Sequence, residues 1–180
     1  AGSIKLDEAG TLASTISMSG GVLDADNSST VSGTLTQGGS ITIDVADNKT
    51  LTYSGAAVNL GANTLTLSGD GTLSNTNAFV LNNASSKLLL NSITVGSVRT
   101  SLASLGLDVD NNSTVSSLTV GHTTPVSIAS SKTLSGAITV TACSITLDEA
   151  GTPASTVSMR RGTILDADES LTLSGAHSQS

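Results

Sequence analysis

Short runs in which an aliphatic residue alternates with Ser or Thr recur along the whole chain, and each run ends in a turn. "SITIDV" (Ser40–Val45), "TLTLSG" (Thr64–Gly69), "NSITVG" (Asn91–Gly96), "SSLTVG" (Ser116–Gly121) and "GAITVT" (Gly136–Thr141) are of this kind. A period of two puts Ile, Leu and Val on one side of a strand and hydroxyls on the other. Thr and Val suit such strands because a branched Cβ packs well on a pleated surface. Between the runs lie "DADNSS", "VADNKT", "LNNASSK" and "DVDNNS". Asn, Asp and Ser close turns there through their side chains and tolerate left-handed backbone. No stretch has helical periodicity with caps, so the chain is expected to be all-β.

The turns recur at a loose spacing. The apolar residues that follow them are Leu12, Val31, Leu51, Leu65, Leu88, Val115, Leu134, Pro153 and Leu173, with steps of 14 to 27 and a mean of about 20. A hairpin meander would carry Asn-Gly or Asp-Gly turns, and Asp70-Gly71 is the single such pair. The pattern therefore predicts a single-stranded parallel β-helix, a β-solenoid of about 8–9 coils of roughly 20 residues. Ile43, Leu67, Ile93, Leu118, Ile138 and Ile145 are expected to point inward and stack on the next coil. A six-residue repeat of the left-handed kind is missing, which favours a right-handed helix.

One phrase occurs twice. "SIKLDEAGTLASTISM" begins at Ser3 and "SITLDEAGTPASTVSM" at Ser144, 141 positions later. The match resumes in "LDADNSSTVSG" from Leu23 and "LDADESLTLSG" from Leu165. Seven coils of about 20 residues span such an interval. The expected organisation is one long-period repeat over 1–141 and the start of the next over 142–180, in one continuous solenoid.

Composition narrows the function. There is no Trp, one Tyr (Tyr53) and one Phe (Phe79), so the core must be thin and built of small aliphatics. Seven Lys and Arg stand against fourteen Asp and Glu, and the basic residues are scattered, which argues against nucleic acid as a partner. No apolar run is long enough for a membrane-spanning helix. The lone Cys143 excludes an intrachain disulfide.

The segment "SGTLTQGGSITIDVADNKTLTYSG" (Ser32–Gly55), with its "SG-TL" and "N-K-T-L" phrases, resembles passenger segments of bacterial autotransporters and filamentous-haemagglutinin-type adhesins. That resemblance implies right-handed β-helix coils, an extracellular or cell-surface location and a structural or adhesive role.

The candidate sites are few. Asp24 and Asp26, Asp108 and Asp110, and Asp166 and Asp168 form i, i+2 carboxylate pairs of the kind that contributes oxygen ligands to Ca²⁺. They are also ordinary solvated corner residues, and the reading adopted is no metal site and no cofactor. His122 and His177 are isolated, and the aromatic and basic residues of sugar-cleaving β-helices are missing, so no enzyme is expected. Three roles compete. The first is a structural fibre whose coils stack head to tail with further copies. The second is an adhesin rod, with the span Leu88–Val115 as its one roomy loop. The third is an ice-binding solenoid using Thr34/Thr36, Thr50/Thr52, Thr64/Thr66 and Thr139/Thr141, which the irregular steps disfavour.

Overall fold

The computed structural model describes residues 2–102, 104–122, 124–141, 144–147, 152–160, 164–167 and 177–179. Within them the regular structure is all strand, the strands pair in parallel, and no helix occurs. The chain winds as a β-solenoid, and each turn has up to three legs.

The first legs form a nine-stranded sheet that runs from Gly2–Lys5 through Gly21–Ala25, Ile41–Val45, Thr64–Ser68, Lys87–Asn91, Gly106–Val109, Thr124–Ile128 and Ser144–Leu147 to Ile164–Ala167. The second legs begin at Thr11–Leu12, Ser29–Val31, Thr50–Tyr53 and Thr72–Asn75. The third legs are short: Ile16–Met18, Leu35–Gln37, Val58–Asn59 and Phe79–Leu81. From Thr94–Thr100 onward the second and third legs fuse into one long strand. Thr94 and Val95 pair with Thr72 and Leu73 of a second leg, while Val98, Arg99 and Thr100 pair with Phe79, Val80 and Leu81 of a third. Seven turns are described in full up to Thr141, fewer than the eight to nine expected, and the later strands extend the same sheets.

The interior is made of aliphatic ladders. Leu23, Ile43, Leu67, Leu90, Val109 and Ile128 stack in register on successive turns, each 0–1% exposed. A second ladder joins Val58, Phe79, Val98, Leu118 and Ile138 on the third legs. Of the residues expected to point inward, Ile43, Leu67, Ile93, Leu118 and Ile138 are buried, and the side chain of Ile145 lies outside the described residues. Burying each such side chain contributes about 1.5–3 kcal/mol, the main favourable term in a fold without a wide core.

The irregular spacing has a geometric cause. Leu65 and Leu88 sit on first legs, whereas Leu12, Val31, Leu51, Val115, Leu134 and Pro153 sit on second legs. The step of 14 from Leu51 to Leu65 therefore crosses a corner and does not complete a turn. True register partners are closer to constant. Gly2 pairs with Gly21, 19 positions on, and the widest offset, Ile41 to Leu65, is 24. Leu173 lies outside the described residues.

The two longest turns, from Ile41 to Leu65 and from Leu65 to Leu88, hold the only Tyr and the only Phe. A longer turn encloses a wider lumen, which a large side chain fills. The rings of Tyr53 and Phe79 stack with centroids 6.3 Å apart. Tyr53 also ties the corner: its Oη donates to the Ala56 carbonyl at 2.7 Å and accepts from the Leu35 amide at 3.1 Å. Tyr53→Phe keeps the ring but strands the buried Leu35 N–H. It is expected to lower stability by about 1–3 kcal/mol, measured by urea denaturation.

Corners are laced from turn to turn by polar side chains. Asn77 Nδ2 donates to the Gly55 carbonyl at 2.8 Å, Asn75 Nδ2 to the Ser97 carbonyl at 2.9 Å, and the Thr133 amide donates to Asn112 Oδ1 at 3.0 Å. The Thr50 and Thr64 amides donate to Ser28 Oγ and Ser40 Oγ at 3.1 and 3.0 Å. The Asn- and Ser-rich turns thus satisfy backbone groups that the strand ladders leave over.

Candidate functional site

Alternation along each strand fixes what the outside of the rod presents, and the two long faces differ in chemistry. The first sheet carries the charges. Lys5, Asp24, Asp44, Ser68 and Asn91 form one outward column in consecutive register. Lys5 Nζ lies 3.0 Å from Asp7 and makes a further short contact with Asp26, one turn later. Hydrogen bonds to Asp26 and Asp7 raise the Lys5 ammonium pKa above its ordinary value. Asp24 is half-buried between Lys5 and Asp44. Desolvation, and then the charge of Asp26, push its carboxyl pKa up, and Lys5 partly opposes them. Asp44 accepts a hydrogen bond from Ser68 Oγ.

The structure splits each described carboxylate pair. Asp24 points out from its strand, while Asp26 lies past the strand end and is held by Lys5. Asp108 is bound by Lys87 at 2.5 Å, whereas Asp110 is exposed at the corner. A lysine from the preceding turn thus already neutralises one carboxylate of each of these two pairs. Asp166 lies opposite Thr146 in the first sheet; its side chain, and Asp168 altogether, lie outside the described residues. Among the described residues no three His, Cys, Asp or Glu side chains gather as a metal site. His122 is exposed; the side chain of His177, and all of Cys143, lie outside the described residues. Removal of divalent ions by EDTA is expected to leave the melting temperature unchanged, and readdition of Ca²⁺ likewise, because the lysines already occupy these carboxylates.

The Asp24 environment gives a pH prediction. A carboxyl with a folded pKa above its ordinary 3.8 binds its proton more readily folded than unfolded. Its destabilising contribution is absent below that value and grows as pH rises through it. Asp24→Asn is expected to melt slightly higher than the parent at neutral pH, by no more than about 0.5 kcal/mol. The gain should vanish once the pH falls below 3.8, as followed by thermal melts across pH.

The second sheet presents hydroxyls. Thr11, Thr30, Thr52 and Ser74 form one outward column. Thr50, Thr72, Thr94, Thr114 and Ser135 form the next. A shallow trough lies on the first three turns, lined by Gly10, Thr11, Ser28, Ser29, Thr30, Thr50 and Thr52. The Thr-x-Thr phrases noted in sequence fall on different faces: Thr50/Thr52 on the second leg, Thr64/Thr66 on the first, Thr36 and Thr139 on the third. The real columns draw one or two residues from each turn, and only the leg-by-leg register shows them.

The span Leu88–Val115 is not a loop. It contains the strands Thr94–Thr100 and Gly106–Val109, and the corner between them includes Ser101, Leu102, Ser104 and Leu105. That short corner carries the large exposed apolar side chains of the described surface, Leu102 at 49% and Leu105 at 59%.

No protein-family model, curated protein or solved structure matches the chain. Among the described residues no helix is long and apolar enough to cross a membrane, which leaves strands out of account.

Proposed function

We propose that the chain is a non-enzymatic structural module of a long bacterial β-solenoid fibre, extracellular or on the cell surface, in which coils stack end to end. One observation carries this reading. The phrase at Ser3–Met18 supplies strands to the first, second and third legs of the first turn, and its copy at Ser144–Met159 supplies the same legs seven turns later. In the copy, Thr124, Pro125 and Val126 pair with Ile145, Thr146 and Leu147, and Leu134 through Val140 pair with Pro153 through Met159. At the first turn the same strands have an open edge, and Ile4, Leu6 and Leu12 are only partly buried. An edge of this kind is completed by a further coil in parallel register. Such contacts are heterologous and do not close on themselves, so they build filaments. The likeness of Ser32–Gly55 to autotransporter and filamentous-haemagglutinin-type passengers supports the surface location.

Electron microscopy and sedimentation of the purified chain test it. Thin unbranched fibres with an axial repeat of about 4.8 Å per coil are expected. A monomer that persists at high concentration overturns the reading. An adhesin rod is the second reading, favoured by the exposed Leu102 and Leu105. Loss of cell-surface adhesion in Leu102→Ser/Leu105→Ser, with fibres intact, would select it.

A further inference from the structure

We propose that the hydroxyl face of the second sheet is a ligand site for crystalline water, that is, an ice-binding surface. Three features of this face carry the proposal. The first is order. The columns Thr11–Thr30–Thr52–Ser74 and Thr50–Thr72–Thr94–Thr114–Ser135 each run in unbroken parallel register, and they lie side by side on the two strands they share, where Thr50 and Thr52 stand over Thr72 and Ser74. Parallel neighbours are about 4.8 Å apart along the rod, and positions i and i+2 about 6.6 Å apart along a strand. The axial distance is close to a repeat of the oxygen lattice of hexagonal ice, and the distance along the strand falls somewhat short of the next.

The second feature is the segregation of charge. The strands of the first sheet carry Lys5, Asp24, Asp44, Lys87 and Asp108. Those of the second sheet up to Val140 carry only Arg99, in the part of its strand that pairs with a third leg. Charged side chains hold water in shells of their own and give it up at high cost. Their exclusion leaves a surface on which water can take the order of the columns.

The third feature is rigidity together with shape. From Thr30 onward each outward threonine of these columns alternates with buried residues, as Thr50 and Thr52 do with Leu51 and Tyr53. A branched Cβ restricts χ1, so methyl and hydroxyl hold fixed places. The trough over the first three turns, between Thr11, Thr30, Thr50 and Thr52, offers a mostly hydroxyl-lined seat for a few ordered water molecules. The spacing objection raised by steps of 14 to 27 falls away, because those steps mixed legs.

The test is ice-affinity partition of the full chain, labelled at an exposed lysine, with ice-recrystallisation assays at the same concentrations. The parent should enter growing ice and slow recrystallisation. Thr52→Tyr and Thr72→Tyr, once circular dichroism has verified their fold, should lower incorporation at least about tenfold, equivalent to about 1.4 kcal/mol. Thr66→Tyr, on the outer side of the first sheet, should behave as the parent. Exclusion of the parent from ice overturns the proposal, as does equal loss in Thr66→Tyr. Retention on crystalline cellulose or chitin without any effect on ice also overturns it, and assigns the face to a polysaccharide.

Discussion

Leu67→Asp is expected to remove cooperative folding from the middle of the rod. Leu67 is 0% exposed and stacked between Ile43 and Leu90. A carboxylate there has no partner and must desolvate or take up a proton, at a cost of several kcal/mol. The loss should reach roughly 4–5 kcal/mol, the range reserved for buried charges and large cavities. In a solenoid each turn touches only its neighbours, so stability is a sum over turns and interfaces. One broken rung therefore separates the first turns from the later ones. A single thermal transition should become two, or the signal of folded protein should disappear. Thr66→Asn, one residue away and facing out, should melt within about 0.5 kcal/mol of the parent. If Leu67→Asp melts like the parent, the inward assignment of this ladder is wrong.

Gly136→Ala is the second large effect. Gly136 pairs with Val115 where the long strand Ser113–Val120 carries a register irregularity between Val115 and Ser117. The bulge turns the fused strand from its second-leg part to its third-leg part. Gly136 has a φ of +124°, and a Cβ placed on it would lie 1.7 Å from the Val115 carbonyl oxygen. Alanine there must strain the backbone and push a neighbouring strand aside, at a cost of roughly 2–4 kcal/mol. The melting temperature should fall by roughly 5–10 °C. Gly2→Ala, with nothing within 4 Å of its Cβ position, should leave it unchanged. Equal melting of the two variants would contradict the described bulge.

How much of this was legible in the sequence depends on which signal is asked. Direction was legible: Ile43, Leu67, Leu118 and Ile138 alternate with hydroxyl residues, and burial follows that alternation. Parallel stacking was legible from the spaced turns without hairpin signals. The assignment of strands to legs was not. Third legs such as Val58–Asn59 are too short to show a period, and in "KLLLN" three consecutive Leu hide that Leu89 faces out. Turn length also varies with the lumen, so a fixed period slips between faces. The acidic pairs were visible, but their lysines were not. Lys5 and Asp26 are 21 positions apart, as are Lys87 and Asp108, and only the register of adjacent turns brings them together. The threonine columns were hidden for the same reason.

The strand pairing has a mechanical consequence. In every sheet of this rod the backbone hydrogen bonds join one turn to the next, and so run along the axis. Tension applied to the two ends of the chain then loads one turn-to-turn interface at a time, and the terminal turn peels before its neighbour is stressed. Folded, a turn adds about 4.8 Å to the length of the rod. Peeled and extended, about 20 residues reach about 70 Å. Each turn is therefore a reserve of slack more than ten times its folded length, released stepwise under load.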